Sequence, residues 1–148
     1  MEKSNELNKF LSYIHMGNSV FRIYYNEAKN LNCDSLVDLI VEIEEIFKKH
    51  EEKITNRINE LDETATNSLT AAGLMAVYKE KMKFFETPFS IVLSAIKSTN
   101  MGLISSLKFL NDNLKLPKVD LDSIINVIND YKLIHSKLVN YLLVNVYS

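Results

Sequence analysis

Apolar residues recur at spacings of three and four along four long stretches of the chain, the period of helices that each bury one face. In the first stretch, residues 4–31, the stripe is Leu7, Phe10/Leu11, Ile14, Asn18, Phe21, Tyr25 and Ala28. The turn Asn32-Cys33-Asp34-Ser35 follows, and Asp34 or Ser35 is expected to cap the next helix. The second stripe, over 35–61, is Leu36, Ile40, Ile43, Phe47, His50, Ile54, Arg57/Ile58 and Leu61. Its outer face carries Glu44–Lys48 and Glu45–Lys49 at i,i+4, with Glu N-terminal to Lys, the favourable order.

Residues 62–68 are polar and loop-like, and a shorter helix is predicted over 69–85 with Leu74, Val77/Tyr78, Lys81 and Phe84/Phe85 on one face. Thr87-Pro88 then reads as an N-cap followed by proline at the first helical position, where its missing N–H costs nothing. The third long helix, 88–113, carries Phe89, Leu93, Ile96, Asn100, Leu103, Leu107 and Leu110. Pro117 helps to break it, and Asp120 is expected to cap a fourth long helix over 121–146, with Leu121, Ile124/Ile125, Ile128, Tyr131, His135, Leu138, Leu142 and Val146 inward. The short joins make helices 1 and 2, and 3 and 4, into hairpins. The long join between helices 2 and 3 makes a crossover. The expectation is a single all-α domain over residues 1–148, an antiparallel four-helix bundle of ferritin-like connectivity with a short helix in the crossover.

Composition supports few, long elements: only three glycines and two prolines occur in 148 residues, against the frequent turns of a sandwich or barrel. The formal net charge is -2 and no basic patch stands out, so nucleic acid is not an expected partner. No apolar run approaches the ~20 residues of a membrane span, and no signal peptide is read at the N-terminus. Cys33 is the only cysteine, which excludes an internal disulfide and suits a reducing cytoplasm.

The two hairpins are weakly alike. Ile14-His15-Met16-Gly17-Asn18 lines up with Ile96-Lys97-Ser98-Thr99-Asn100, and Phe47-Lys48-Lys49-His50 with Lys132-Leu133-Ile134-His135. Together with Ile46–Ile54, Ala95–Gly102 and Asp130–His135, these stretches resemble the small ferritin-like bundles of bacteria, distantly similar to rubrerythrins and including families of unknown function. The resemblance spans roughly residues 7–143. It implies a di-metal centre with one Glu from each of two helices and a Glu-x-x-His from each of the other two. Carried onto this chain, it keeps both histidines, His50 and His135, as candidate metal ligands. The four carboxylate positions fall on Gly17, Phe47, Thr99 and Lys132. Two imidazoles without a carboxylate do not balance two divalent cations, and Lys132 adds positive charge.

The residues therefore specify no reaction. The leading expectation is a bundle that has lost its di-metal centre and serves as a binding or structural module, with no cofactor and with self-association through the crossover helix. The competing reading is a divergent iron or other divalent-metal oxidase-type protein using His50, His135 and nearby Glu45, Glu51 or Asp130, although those acids point elsewhere on an ideal helix. His50 and His135 also read simply as core histidines held by a tyrosine or backbone group. His15 lies one position off its stripe and reads as a surface or boundary residue, with a third imidazole at the level of the other two as the alternative. Met75, Met82, Leu74, Phe84 and Phe85 form either a contact face or the pins that hold the crossover down.

Overall fold

The computed structural model describes residues 2–145, with side chains from Glu6 onward. Among these all regular secondary structure is helical: α1 (Glu2–Asn30), α2 (Asp34–Glu60), α3 (Ala71–Met82), α4 (Pro88–Asp112) and α5 (Lys118–Asn145). Val146, expected at the end of the last helix, lies outside the described residues. No described helix is long and apolar enough to cross a membrane.

The helix ends follow local chemistry. Thr87 accepts from the Ser90 N–H while the Ser90 hydroxyl accepts from the Thr87 N–H, a reciprocal cap ahead of Pro88. Thr70 caps α3 by accepting from Gly73 N–H at 3.0 Å. The helices α1 and α2 end alike. Asn32 and Asp62 take the left-handed conformation, with φ of 54° and 59°. The Cys33 N–H reaches back to the Ala28 carbonyl and the Glu63 N–H to that of Ile58. These are Schellman closures built without glycine.

Several expected boundaries move. Cys33, not Asp34 or Ser35, occupies the cap position of α2, and no side chain bonds there. Helix α5 starts three residues before Leu121. Asp120 is therefore inside its first turn, fully buried, and paired with Arg57 instead of capping. Helix α3 spans less than 69–85 because Lys83 is already extended.

Helix α1 lies against α2 and α4, α5 lies against α2 and α4, and α3 lies on α1. Matched pairs set the registers. Gly17 meets Phe47, and Arg22 pairs with Glu44 at 2.8 Å. Phe10 stacks at 4.9 Å from Phe109, while Tyr24 bonds Ser98. Arg57 meets Asp120, and Ser35 meets Tyr141.

The inner face of α4 departs from the expected stripe. Ile91, Val92, Ala95, Thr99, Gly102, Ser106 and Phe109 are buried, while Phe89, Leu93 and Leu107 are exposed. The helix is rotated by about one residue because its neighbours present large rings. Small side chains must face those rings if the interior is to reach close-packed density. A Cβ at Gly102 would fall 2.6 Å from Cζ of Tyr131. In α1, Tyr24 is buried in place of Tyr25, whose ring lies half-buried beneath the Arg22 guanidinium, 4.3 Å from its centroid.

The crossover is bonded along α1. Asn8 donates to the Thr64 carbonyl and accepts from the Thr66 N–H. Tyr24 donates to Glu80 at 2.7 Å, and the buried Phe85 ring stands edge-on to it. The face of α3 turned inward is Gly73, Ala76/Val77 and Glu80. Leu74, Met75, Tyr78, Met82 and Phe84 face outward, between 58% and 83% exposed. The expected single face is thus split: Val77 and Phe85 turn inward and help hold the crossover, while Leu74, Tyr78 and Phe84 turn outward.

Candidate functional site

The two candidate ligands turn to different neighbours. His50 sits between α2 and α5, with Nε2 donating to Asp130 Oδ2 at 2.6 Å. His135 sits between α5 and α4, with Nδ1 3.1 Å from Asn100 Oδ1. Each is held by a polar side chain, not by a tyrosine or the backbone. Asp130 does reach a histidine, contrary to the ideal-helix expectation; Glu45 is exposed and does not.

Glu51 joins a cluster that the periodicity concealed. It bonds both His15 Nδ1 and Asn18 Nδ2, and His15 Nε2 meets the Thr66 carbonyl at 2.8 Å. A carboxylate and a carbonyl only accept hydrogen bonds, so the arrangement calls for both ring nitrogens to donate, which is the imidazolium form. The Glu51 carboxylate correspondingly raises the His15 pKa above its ordinary value, overcoming the opposing effect of burial. His15 is therefore a half-buried cation that fastens α2 and the crossover to α1. Its partly buried place is the boundary position expected from its offset on the stripe, but the stripe does not show its bonds to Glu51 and Thr66.

Of the four positions at which the resemblance looks for carboxylates, Gly17, Phe47, Thr99 and Lys132, three border one space. Gly17, Phe47 and Thr99 line a cavity of about 140 Å³ beneath α3, together with Val20, Ala76 and Tyr131. Lys132 does not join them. It is exposed, and its neighbour Tyr131 takes the inward place, 5.8 Å from the Phe47 ring. Two mid-helix glycines make this possible: a Cβ at Gly17 would lie 2.9 Å from Phe47, just as one at Gly102 would strike Tyr131. Because glycine costs ~1 kcal/mol against alanine inside a helix, two such residues in so glycine-poor a chain are a sequence signal of close ring packing.

The cavity's polar groups are nearly all engaged. Thr99 donates to the Ala95 carbonyl at 2.7 Å, while Glu80 and Ser98 are both bonded to Tyr24. The Tyr131 hydroxyl has no hydrogen-bond partner among the described residues, and burial pushes its pKa well above the ordinary tyrosine value. Among these residues no fully enclosed side-chain polar atom lacks a partner. The unbonded Tyr131 hydroxyl therefore touches open space, which is the cavity it lines. No group of three or more His, Cys, Asp or Glu residues that could hold a metal ion occurs among the described residues.

No protein-family model, curated protein or solved structure matches this chain.

Proposed function

We propose that the chain is a ferritin-like, antiparallel four-helix bundle without a di-metal centre, acting as a binding module in the cytoplasm. The observation that carries the reading is the chemistry of the convergent positions. Gly17 and Phe47 offer no donor atom, Thr99 spends its hydroxyl on the backbone, and the outward Lys132 leaves Tyr131 in its place. These residues do not fit a di-metal group, which needs bridging carboxylates at this level. What they form is an apolar space. The pairs Phe10–Phe109, Tyr24–Ser98, Gly17–Phe47 and Arg57–Asp120 support the antiparallel arrangement, and the crossover lying along α1 supports the connectivity.

The outward apolar residues of α3 support self-association through the crossover, since contiguous exposed apolar area on a folded chain marks contact surfaces. Elemental analysis of the purified protein together with its solution mass tests the reading. Sub-stoichiometric metal and a dimer are expected. Stoichiometric iron, manganese or zinc would instead favour the oxidase-type reading built on His50 and His135, with the 2.6 Å His50–Asp130 pair as its starting point.

A further inference from the structure

The recess under α3 presents more apolar surface than the other spaces among the described residues. Its walls include Gly17, Val20, Phe47, Ala76 and Thr99, and the Tyr131 hydroxyl, which has no protein partner among the described residues, borders it. Because no described side-chain polar atom is sealed off without a partner, that hydroxyl is open to the space and free to bond what enters it. The size is informative as well: an apolar cavity of ~150 Å³ admits benzene. Burial keeps the phenol of Tyr131 protonated, so it offers a donor as well as an acceptor. The lining is mainly apolar and its one carboxylate, Glu80, is already bonded to Tyr24 and Lys83, so an ion drawn wholly into the space would lose hydration that the walls do not replace.

From these features we infer that the cavity beneath the crossover helix binds a small neutral molecule with an apolar, ring-sized body and one hydrogen-bonding group, which the Tyr131 hydroxyl receives. The inference rests on the reading of the chain as a binding module and gives that module a ligand class. Entry lies between α3 and α4, where Ala76, Lys79 and Met101 border the space. Helix α3 is held there by Tyr24–Glu80 at 2.7 Å and by Phe85, so the crossover is the element that admits and encloses the ligand.

Phenol and toluene are suitable probes because they differ by the hydroxyl alone. Titration of the full chain, followed by calorimetry or ligand-observed NMR, is expected to show saturable one-site binding of both. Phenol should bind more tightly by about 2- to 10-fold, the worth of one hydrogen bond. Tyr131→Phe keeps the volume and should abolish that preference while retaining toluene. Ala76→Phe, which fills the mouth from α3, should abolish both, and Val20→Phe serves if that variant loses its helical circular dichroism. Absence of saturable binding by either probe overturns the inference. So does a phenol preference that survives Tyr131→Phe, binding untouched by a folded filled variant, or benzoate binding more tightly than phenol. Metal content separates the two levels: failure of the probes in a metal-free protein removes the ligand class alone, whereas stoichiometric metal removes the underlying reading.

Discussion

Replacing Arg57 by methionine should be among the most damaging single changes at the bundle's periphery. Asp120 is completely buried in the first turn of α5, and its two oxygens are held by Arg57 Nε at 2.8 Å and Nη2 at 3.3 Å. The forked geometry suits guanidinium and not ammonium. Loss of Arg57 leaves the carboxylate desolvated with only the α5 N-terminus to favour its charge, a compensation of ~0.3–1 kcal/mol. Breaking a buried pair from one side costs ~3–5 kcal/mol. For a chain of this length each kcal/mol moves Tm by roughly 2–4 °C, giving a fall on the order of 6–20 °C. The double variant Arg57→Met/Asp120→Leu removes both charges and should return to within ~1 kcal/mol of the parent, or exceed it. Urea unfolding followed by circular dichroism at a fixed pH measures all three variants, and the cycle isolates their coupling. A loss below ~1 kcal/mol for Arg57→Met, or a double variant as unstable as the single one, would refute the reasoning.

Further outcomes follow from the same contacts. Because His15 is held as a cation with a raised pKa, its stabilisation is fully present below the unfolded value of 6.5 and is lost as pH rises through the folded value. The urea midpoint of the parent should therefore fall between mildly acidic and mildly alkaline pH, and His15→Gln should flatten that dependence. Gly102→Ala should destabilise by ~1–2 kcal/mol in thermal unfolding despite alanine's better helix propensity, since the new Cβ would stand 2.6 Å from Tyr131 and overpacking outweighs the gain. Asp62→Gly should stabilise by roughly 0.5–1 kcal/mol, because a left-handed φ of 59° carries a penalty for any residue with a Cβ; no change would indicate that Asp62 gains an offsetting local bond.

The helices were legible in the residues because hydrophobic period and end signals act locally. The Thr87-Pro88 start and the long stripes of α1 and α2 are of this kind, and most of the Leu7–Ala28 and Leu36–Leu61 positions are indeed inward. What periodicity could not give is rotation about a helix axis. The α4 stripe of large residues, Phe89, Leu93 and Leu107, is apolar enough to be an inner face, yet the face turned inward is the small one, Ala95–Thr99–Gly102–Ser106, with Gly102 against the Tyr131 ring. The stripe of α5 already places Tyr131 inward; it is the repeat, which aligns Lys132 with Phe47, that points one residue too far. Polar clusters were invisible for a different reason. His15, Glu51 and Thr66 lie on three separate segments, as do Tyr24, Glu80 and Ser98, and no local pattern joins them. The histidines stand on apolar stripes in the sequence, but their partners, Asp130 and Asn100, depend on how the helices dock.

The account turns on whether the level of Gly17, Phe47, Thr99 and Tyr131 is an apolar space or a metal centre. Equilibrium dialysis of the purified chain against iron(II), and separately manganese(II) and zinc(II), followed by elemental analysis, addresses this most directly. The account predicts no stoichiometric retention of any of the three, with His50→Ala/His135→Ala behaving like the parent. Retention of one or two ions per chain that disappears in the double histidine variant would contradict it.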